Sequence, residues 1–227
     1  MELDITLPDI LPVMTLPNVA FFPQALMPLH IFEPRYREML EDVLASNRLF
    51  AVAGLNEKLC SLENQFEPPY RVASVGIVRA CQANSDGTSN LLLQGLCRVE
   101  FLEIVEDRPY RRVRIRHLSS EPLGIDCDHA ALRGELARLI RLKQKLGVPV
   151  PPEITEFLGK VGDPEVFVDL AAFNLCESHP LKQKLLETLN VGVRLSLFNR
   201  HLRTEIQGIK LRRKLQAGLP DSRICEN

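Results

Sequence analysis

The sequence predicts an α+β fold: a compact, barrel-like β domain carrying one helix, followed by an α-helical bundle. Short apolar runs bounded by Pro, Asn or Gly fill the first half of the chain. Near residue 120 the apolar period changes from two to about 3.6. Beyond that point the apolar residues line successive helical faces.

The strands come in order. Residues 10–16, 26–31 and 49–55 are short apolar runs, and 71–81 and 90–105 follow. Between the last two lies Ser85-Asp86-Gly87-Thr88, a hairpin signal, because Gly accepts the positive φ of a tight turn. Residues 110–118 alternate, with Val113 and Ile115 on one face and Arg112, Arg114 and Arg116 on the other. One helix interrupts the set. Pro34 suits a first helical position, and Met39, Leu40, Val43 and Leu44 recur at helical spacing behind it.

The second half reads as helices. Leu132, Leu136, Leu139, Ile140 and Leu146 line one face of a helix over 126–146, and Gly147 stops it. A short helix covers 153–160. Asp163-Pro164-Glu165 starts another, with an oxygen cap, a first-turn proline and an acid near the positive helix end. It runs to about Cys176; one more begins near Pro180, and the last follows Asn190 with Val193, Leu197, Leu202, Ile206 and Ile209. The domains are therefore placed at 1–120 (β barrel) and 121–217 (helical bundle), with 218–227 a frayed tail of Gly, Pro and charged residues.

Composition narrows the function. The net charge is −1, so no global field recruits nucleic acid or an anionic membrane. No apolar stretch approaches the roughly 20 residues of a membrane span, and acids near the N-terminus do not suit a secretory signal. The six cysteines are scattered without a Cys-x-x-Cys pair, which fits reduced thiols in a cytoplasmic protein. No P-loop, dinucleotide fingerprint, His-Glu-x-x-His pair or Gly-x-Ser-x-Gly elbow occurs. Asp128-His129 reads as a polar first turn, and His30 as a hydrogen-bonded structural imidazole. No catalytic residue, metal site or cofactor is predicted.

Several segments resemble a known family. Leu11-Pro12-Val13-Met14-Thr15-Leu16-Pro17-Asn18-Val19, then Phe22-Pro23 and Pro28-Leu29, resemble the opening of Lon-protease N-terminal domains. Ile31-Phe32-Glu33-Pro34-Arg35-Tyr36-Arg37 is similar to the variant in members that stand alone. Val75-Gly76-Ile77-Val78 and Leu93-Gln94-Gly95-Leu96-Cys97-Arg98-Val99 resemble two mid-domain strand motifs. Gly162-Asp163-Pro164, Asp169-Leu170-Ala171-Ala172, Lys182-Gln183-Lys184-Leu185-Leu186-Glu187 and Arg194-Leu195 resemble the helical half. Gln24 departs from the pattern, since the family commonly has Gly after Phe-Pro.

The resemblance implies a PUA-like pseudobarrel followed by a helical bundle. In the full protease this region helps recognise unfolded substrates and supports assembly; the ATPase and serine–lysine protease modules have no counterpart in this sequence. It therefore implies a non-catalytic module that binds unfolded or apolar polypeptide, as an adaptor to a protease or chaperone. Phe21, Phe22, Leu26 and Met27 are the candidate polypeptide-binding surface, since clustered aromatics and Met suit adaptable apolar recognition. The alternative is RNA binding, as PUA-like barrels do in other families, through Arg112, Arg114 and Arg116. The shortage of aromatic residues on which bases could stack disfavours it. Oligomeric state is not fixed by the sequence.

Overall fold

A computed structural model describes residues 7–63, 67–106, 109–121 and 128–217. Its strands are β1 (Ile10–Leu16), β2 (Leu26–Ile31), β3 (Leu49–Gly54), β4 (Val72–Ala83), β5 (Ser89–Glu106) and β6 (Arg112–Leu118). Its helices are α1 (Pro34–Ala45), α2 (Glu57–Glu63), α3 (His129–Lys145), α4 (Pro152–Lys160), α5 (Pro164–Leu175), α6 (His179–Glu187) and α7 (Val191–Ala217). The structure is the expected mixture of a β sheet with a helical C-terminal part. The expected start of the 126–146 helix and the 218–227 tail lie outside the described residues.

The chain forms two compact units. The barrel unit holds the described residues up to 121 together with Asp169–Leu189; the helical unit holds the described residues of 128–168 and 190–217. A division at residue 120 alone would miss this, because the end of α5 and all of α6 belong with the barrel.

In the barrel unit the sheet runs β2-β5-β4-β3-β1-β6, and a further β5–β6 pairing closes β5, β4, β3, β1 and β6 into a ring. β1 and β3 are parallel, in register Val13↔Ala51, and the other pairs are antiparallel. β5 is long enough to pair with β2 and β4 along its first part and with β6 along its second. Register shifts at Val75/Gly76 and Phe101/Glu103 provide the bends that closure needs. Alternate residues point inward: Leu11, Val13, Leu49, Ala51, Ala53, Ala73, Val75, Val99, Phe101 and Val113 fill the interior. The alanines keep β3 and β4 slim where a small barrel has least room. α1 packs on β1, and the Tyr36 hydroxyl donates to the Thr15 carbonyl at 3.3 Å.

One helix was expected in this half; the structure has two. α2 has only seven residues, too few to show an apolar stripe. The Asn56 carbonyl opens it by accepting from Leu59 N and Cys60 N. The hairpin behaves as predicted: Gly87 has φ +80°, and Asp86 Oδ1 accepts from Thr88 N at 2.9 Å. The Thr88 hydroxyl, which also donates to Asp86 Oδ1 at 2.7 Å, and the Thr88 N–H together hold the Asp86 carboxyl below its ordinary pKa.

In the helical unit α3 packs along α7. Leu136, Leu139 and Ile140 on α3, and Leu195, Phe198, Leu202 and Ile206 on α7, are buried. Asn199 donates to the Leu132 carbonyl at 3.0 Å, and Lys143 meets Glu205 at 2.9 Å. The predicted cap and stop form, since Asp163 accepts from Val166 N and Gly147 takes φ +71°, and Asp128, expected inside the first turn, is itself the cap of α3, accepting from Ala131 N.

Candidate functional site

The segment from Phe21 to Met27 corrects the sequence expectation. Phe21 and Phe22 are buried at 1% and 0% exposure and Met27 at 7%, so these three side chains are core; Leu26, at 52%, is the one presented to solvent. Two glycines explain the burial. A Cβ on Gly76 would lie 2.9 Å from the Phe21 ring and closer still to Leu93, and one on Gly95 would collide with the Phe22 carbonyl. Both glycines are therefore notches that receive the phenylalanine segment. Ser74 Oγ then donates to the Phe21 carbonyl at 2.6 Å. Phe173 meets Phe21 edge-on at 6.3 Å, and the Arg98 guanidinium lies 5.9 Å from the Phe22 ring centre. Aromatic clusters suit cores as well as surfaces, and composition alone could not separate the two.

Gln24 completes the turn with φ +62°. Its N–H donates to the Gly95 carbonyl, and Gly95 N donates to the Ala25 carbonyl, both at 2.9 Å. The position where the family commonly has Gly is thus a left-handed one, and here a side chain occupies it.

The exposed apolar strip of this region is Leu26 with Phe32, which is 61% exposed and was not singled out from the sequence. His30 stacks on Phe32 at 6.0 Å and is held through Nδ1 by Asn90 Oδ1 at 2.8 Å. Phe32 directly precedes Glu33-Pro34, the start of α1, which was the signal available for it. Among the described strands β2 pairs with β5 alone. Pro28 leaves a gap in the donors an added strand would need, so side chains rather than main chain are what β2 offers.

The arginine face also differs from expectation. Arg112 pairs with Glu106 at 3.2 Å, Arg114 with Glu103 at 2.7 Å, and Arg116 with Glu100. The register of β5 against β6 brings each cation opposite or beside an acid. The Glu103 carboxylate, hydrogen-bonded to Arg114, raises the pKa of that guanidinium further. The face is a neutral ladder rather than a free cationic surface, and phosphate recognition loses its main attractor.

A buried ion pair ties α5 into the barrel unit. Arg98 of β5 and Asp169 of α5 are 2% and 1% exposed and meet at 2.7 Å. Arg98 Nε also donates to the Leu186 carbonyl of α6 at 3.0 Å. Both residues stood in family-like motifs, but nothing in the sequence linked them.

A cleft of about 510 Å³ opens in the same unit. The turn after β1, the end of β3, the start of α2, Tyr70 and one face of α6 line it. Gly54 lets the turn approach, since a Cβ there would meet the Val19 carbonyl and, at 3.2 Å, the Tyr70 ring. Gln183 of α6 forms part of the wall and is 5% exposed. It lies in a motif quoted from the sequence, yet its direction was not legible there. Among the described residues no three His, Cys, Asp or Glu side chains converge as a metal site, and no helix is long and apolar enough to cross a membrane.

Solved Lon N-terminal domains share this fold. The N-terminal domain of Lon protease from the Mycobacterium avium complex superposes with a TM-score of 0.66 at 16% identity, covering 86% of this chain and 98% of that one. A Lon N-terminal domain protein from Xanthomonas campestris gives 0.58 at 19% identity, covering 93% and 99%. Residues 10–204 match the family described as the ATP-dependent protease La (LON) substrate-binding domain, and the chain belongs to that family. Similar relatives include Lon protease of Dictyoglomus thermophilum, 27% identical over 218 residues (92% of this chain, 26% of the relative). Lon protease 2 of Bdellovibrio bacteriovorus is 28% identical over 218 residues, 95% of this chain and 27% of the relative. The chain thus spans about a quarter of the length of these relatives.

Proposed function

We propose that this chain is a non-catalytic module that recognises unfolded or apolar polypeptide segments and acts as an adaptor in protein quality control, handing them to a protease or chaperone. The observation that carries the reading is the match of residues 10–204 to a substrate-binding domain. The exposed pair Leu26 and Phe32 supports it, because large apolar side chains held out on a rigid strand and at its end suit apolar recognition. A cytoplasmic setting fits the scattered cysteines.

The test is equilibrium binding of a fluorescein-labelled, permanently unfolded polypeptide, reduced carboxymethylated α-lactalbumin, followed by anisotropy. The double variant Leu26→Ser/Phe32→Ser should keep the native circular dichroism and bind about tenfold or more weakly, the loss of one or two exposed apolar contacts. Unchanged affinity in the double variant would remove this surface from the account. No binding by the unaltered chain would remove the polypeptide-binding reading itself.

A further inference from the structure

We propose that the outward stripe of α7 formed by Leu211 and Leu215, with Arg212 and Lys214 on its flanks, is a docking face for an acidic amphipathic helix of a partner protein. The inference goes beyond the polypeptide-binding reading, because its occupant is a helix selected by charge rather than an unfolded chain.

Contacts within the helical unit fix which way this stretch of α7 faces. Arg213 Nη2 donates to the Leu146 carbonyl at 2.6 Å, and the same nitrogen would lie 3.1 Å from a Cβ on Gly147. The side of α7 that carries Arg213 therefore faces the end of α3, and Ile206, two turns earlier on that side, is buried at 3%. At about 100° per residue, the midpoint of Leu211 and Leu215 lies ~180° around the helix from Arg213. The leucines thus point away from α3, and they are 59% and 62% exposed. Arg212 and Lys214 lie about 80° to either side of that midpoint and are exposed too. Single exposed leucines are ordinary, but a pair at i and i+4 on the outward side forms a seam.

The charges select the partner. Beyond Glu205 the described part of α7 carries Lys210, Arg212, Arg213 and Lys214 and no acid. Glu205 itself is engaged by Lys143 at 2.9 Å and by His201 at 3.3 Å. Among the described residues Lys210, Arg212 and Lys214 meet no acid, whereas Arg112, Arg114 and Arg116 of β6 each have one. The helix dipole accounts for cations in a last turn, but it gives exposed leucines no advantage.

An apolar seam flanked by charge is how paired helices choose one another: the seam is buried and the flanks seek the opposite sign. A second copy of this face would set cation against cation. RNA would take the cations through its phosphates and leave the leucines in water. An anionic bilayer would also take the cations, but two leucines give it little apolar area to receive. An acidic helix with its own apolar stripe satisfies both features.

The experiment titrates the full chain into a fluorescein-labelled synthetic peptide of about four heptads, with Leu at positions a and d and Glu at e and g, followed by anisotropy. Saturable binding is expected, weakening at least tenfold between about 0.1 and about 0.5 M NaCl. Leu211→Ser/Leu215→Ser should weaken it about tenfold or more. Arg212→Glu/Lys214→Glu should abolish it and gain affinity for a matching peptide with Lys at e and g. The substituted positions are all exposed, so both variants should keep the native circular dichroism, and a gain for the Lys peptide cannot arise from a lost fold. An acidic peptide bound no better than its Lys counterpart, or undiminished binding by the leucine variant, would overturn the proposal. Tighter binding through the same residues to phosphatidylserine vesicles or to RNA would overturn it as well.

Discussion

Replacing Asp169 by Ala is expected to cost the barrel unit about 3–5 kcal/mol, the usual penalty for stripping one partner from a buried ion pair. The structure sets the size. Both side chains are at most 2% exposed and meet at 2.7 Å, and the guanidinium also donates to the Leu186 carbonyl and lies over Phe22. Without the carboxylate, the buried guanidinium loses the charge-assisted contact at 2.7 Å. For a chain of this length the loss corresponds to a fall of roughly 6–20 °C in the melting temperature of the barrel transition. Thermal unfolding by circular dichroism and calorimetry reads it. The double variant Arg98→Met/Asp169→Leu should recover most of the loss, because two apolar side chains of similar volume demand no counter-charge. A cost under about 1 kcal/mol for Asp169→Ala, or a double variant as unstable as the single one, would refute the view that this pair fastens α5 to the barrel.

Other expectations follow from particular positions. Gln24→Gly should stabilise the protein by about 0.5–1 kcal/mol, since Gln24 holds φ +62° where Gly has no Cβ penalty; a denaturant midpoint that falls would contradict this. Burial pushes the Cys97 thiol up to about 11, so at pH 8 its alkylation by iodoacetamide should be about a hundredfold slower in the native than in the urea-unfolded chain, as peptide mapping would show. Burial, with a hydrogen bond donated to Asp42, raises the Tyr110 phenol to about 12. The fold retains that proton while the unfolded chain releases it near pH 10, so this contribution is complete below pH 10 and fades as pH rises towards 12. Asp42→Asn should lower the midpoint seen in a phenolate absorbance titration, and an unmoved midpoint would contradict the assignment.

What the sequence could reveal depended on how local the cause was. β1 and β2 begin and end where their apolar runs do, and Asp163 and Gly147 act as the cap and stop their positions suggest. These features need only neighbouring residues. The fate of Phe21 and Phe22 was decided elsewhere, by the space that Gly76 and Gly95 leave about 50 to 75 residues later in the chain. The three arginines of β6 likewise looked like a cationic face until the barrel register set Glu100, Glu103 and Glu106 beside them. The acids were visible in the sequence, but the pairing was not. Arg98 with Asp169, and the cleft that Gln183 lines, arise from contacts among distant segments, which no period or spacing encodes.

The central claim is that this chain binds polypeptide that has lost its fold. The most direct test compares one protein in two states: native α-lactalbumin and its reduced, carboxymethylated form, titrated into the full chain under identical salt. The account predicts saturable binding of the unfolded form and at least tenfold weaker binding of the folded one. Equal affinity for the two, or none for either, would contradict it.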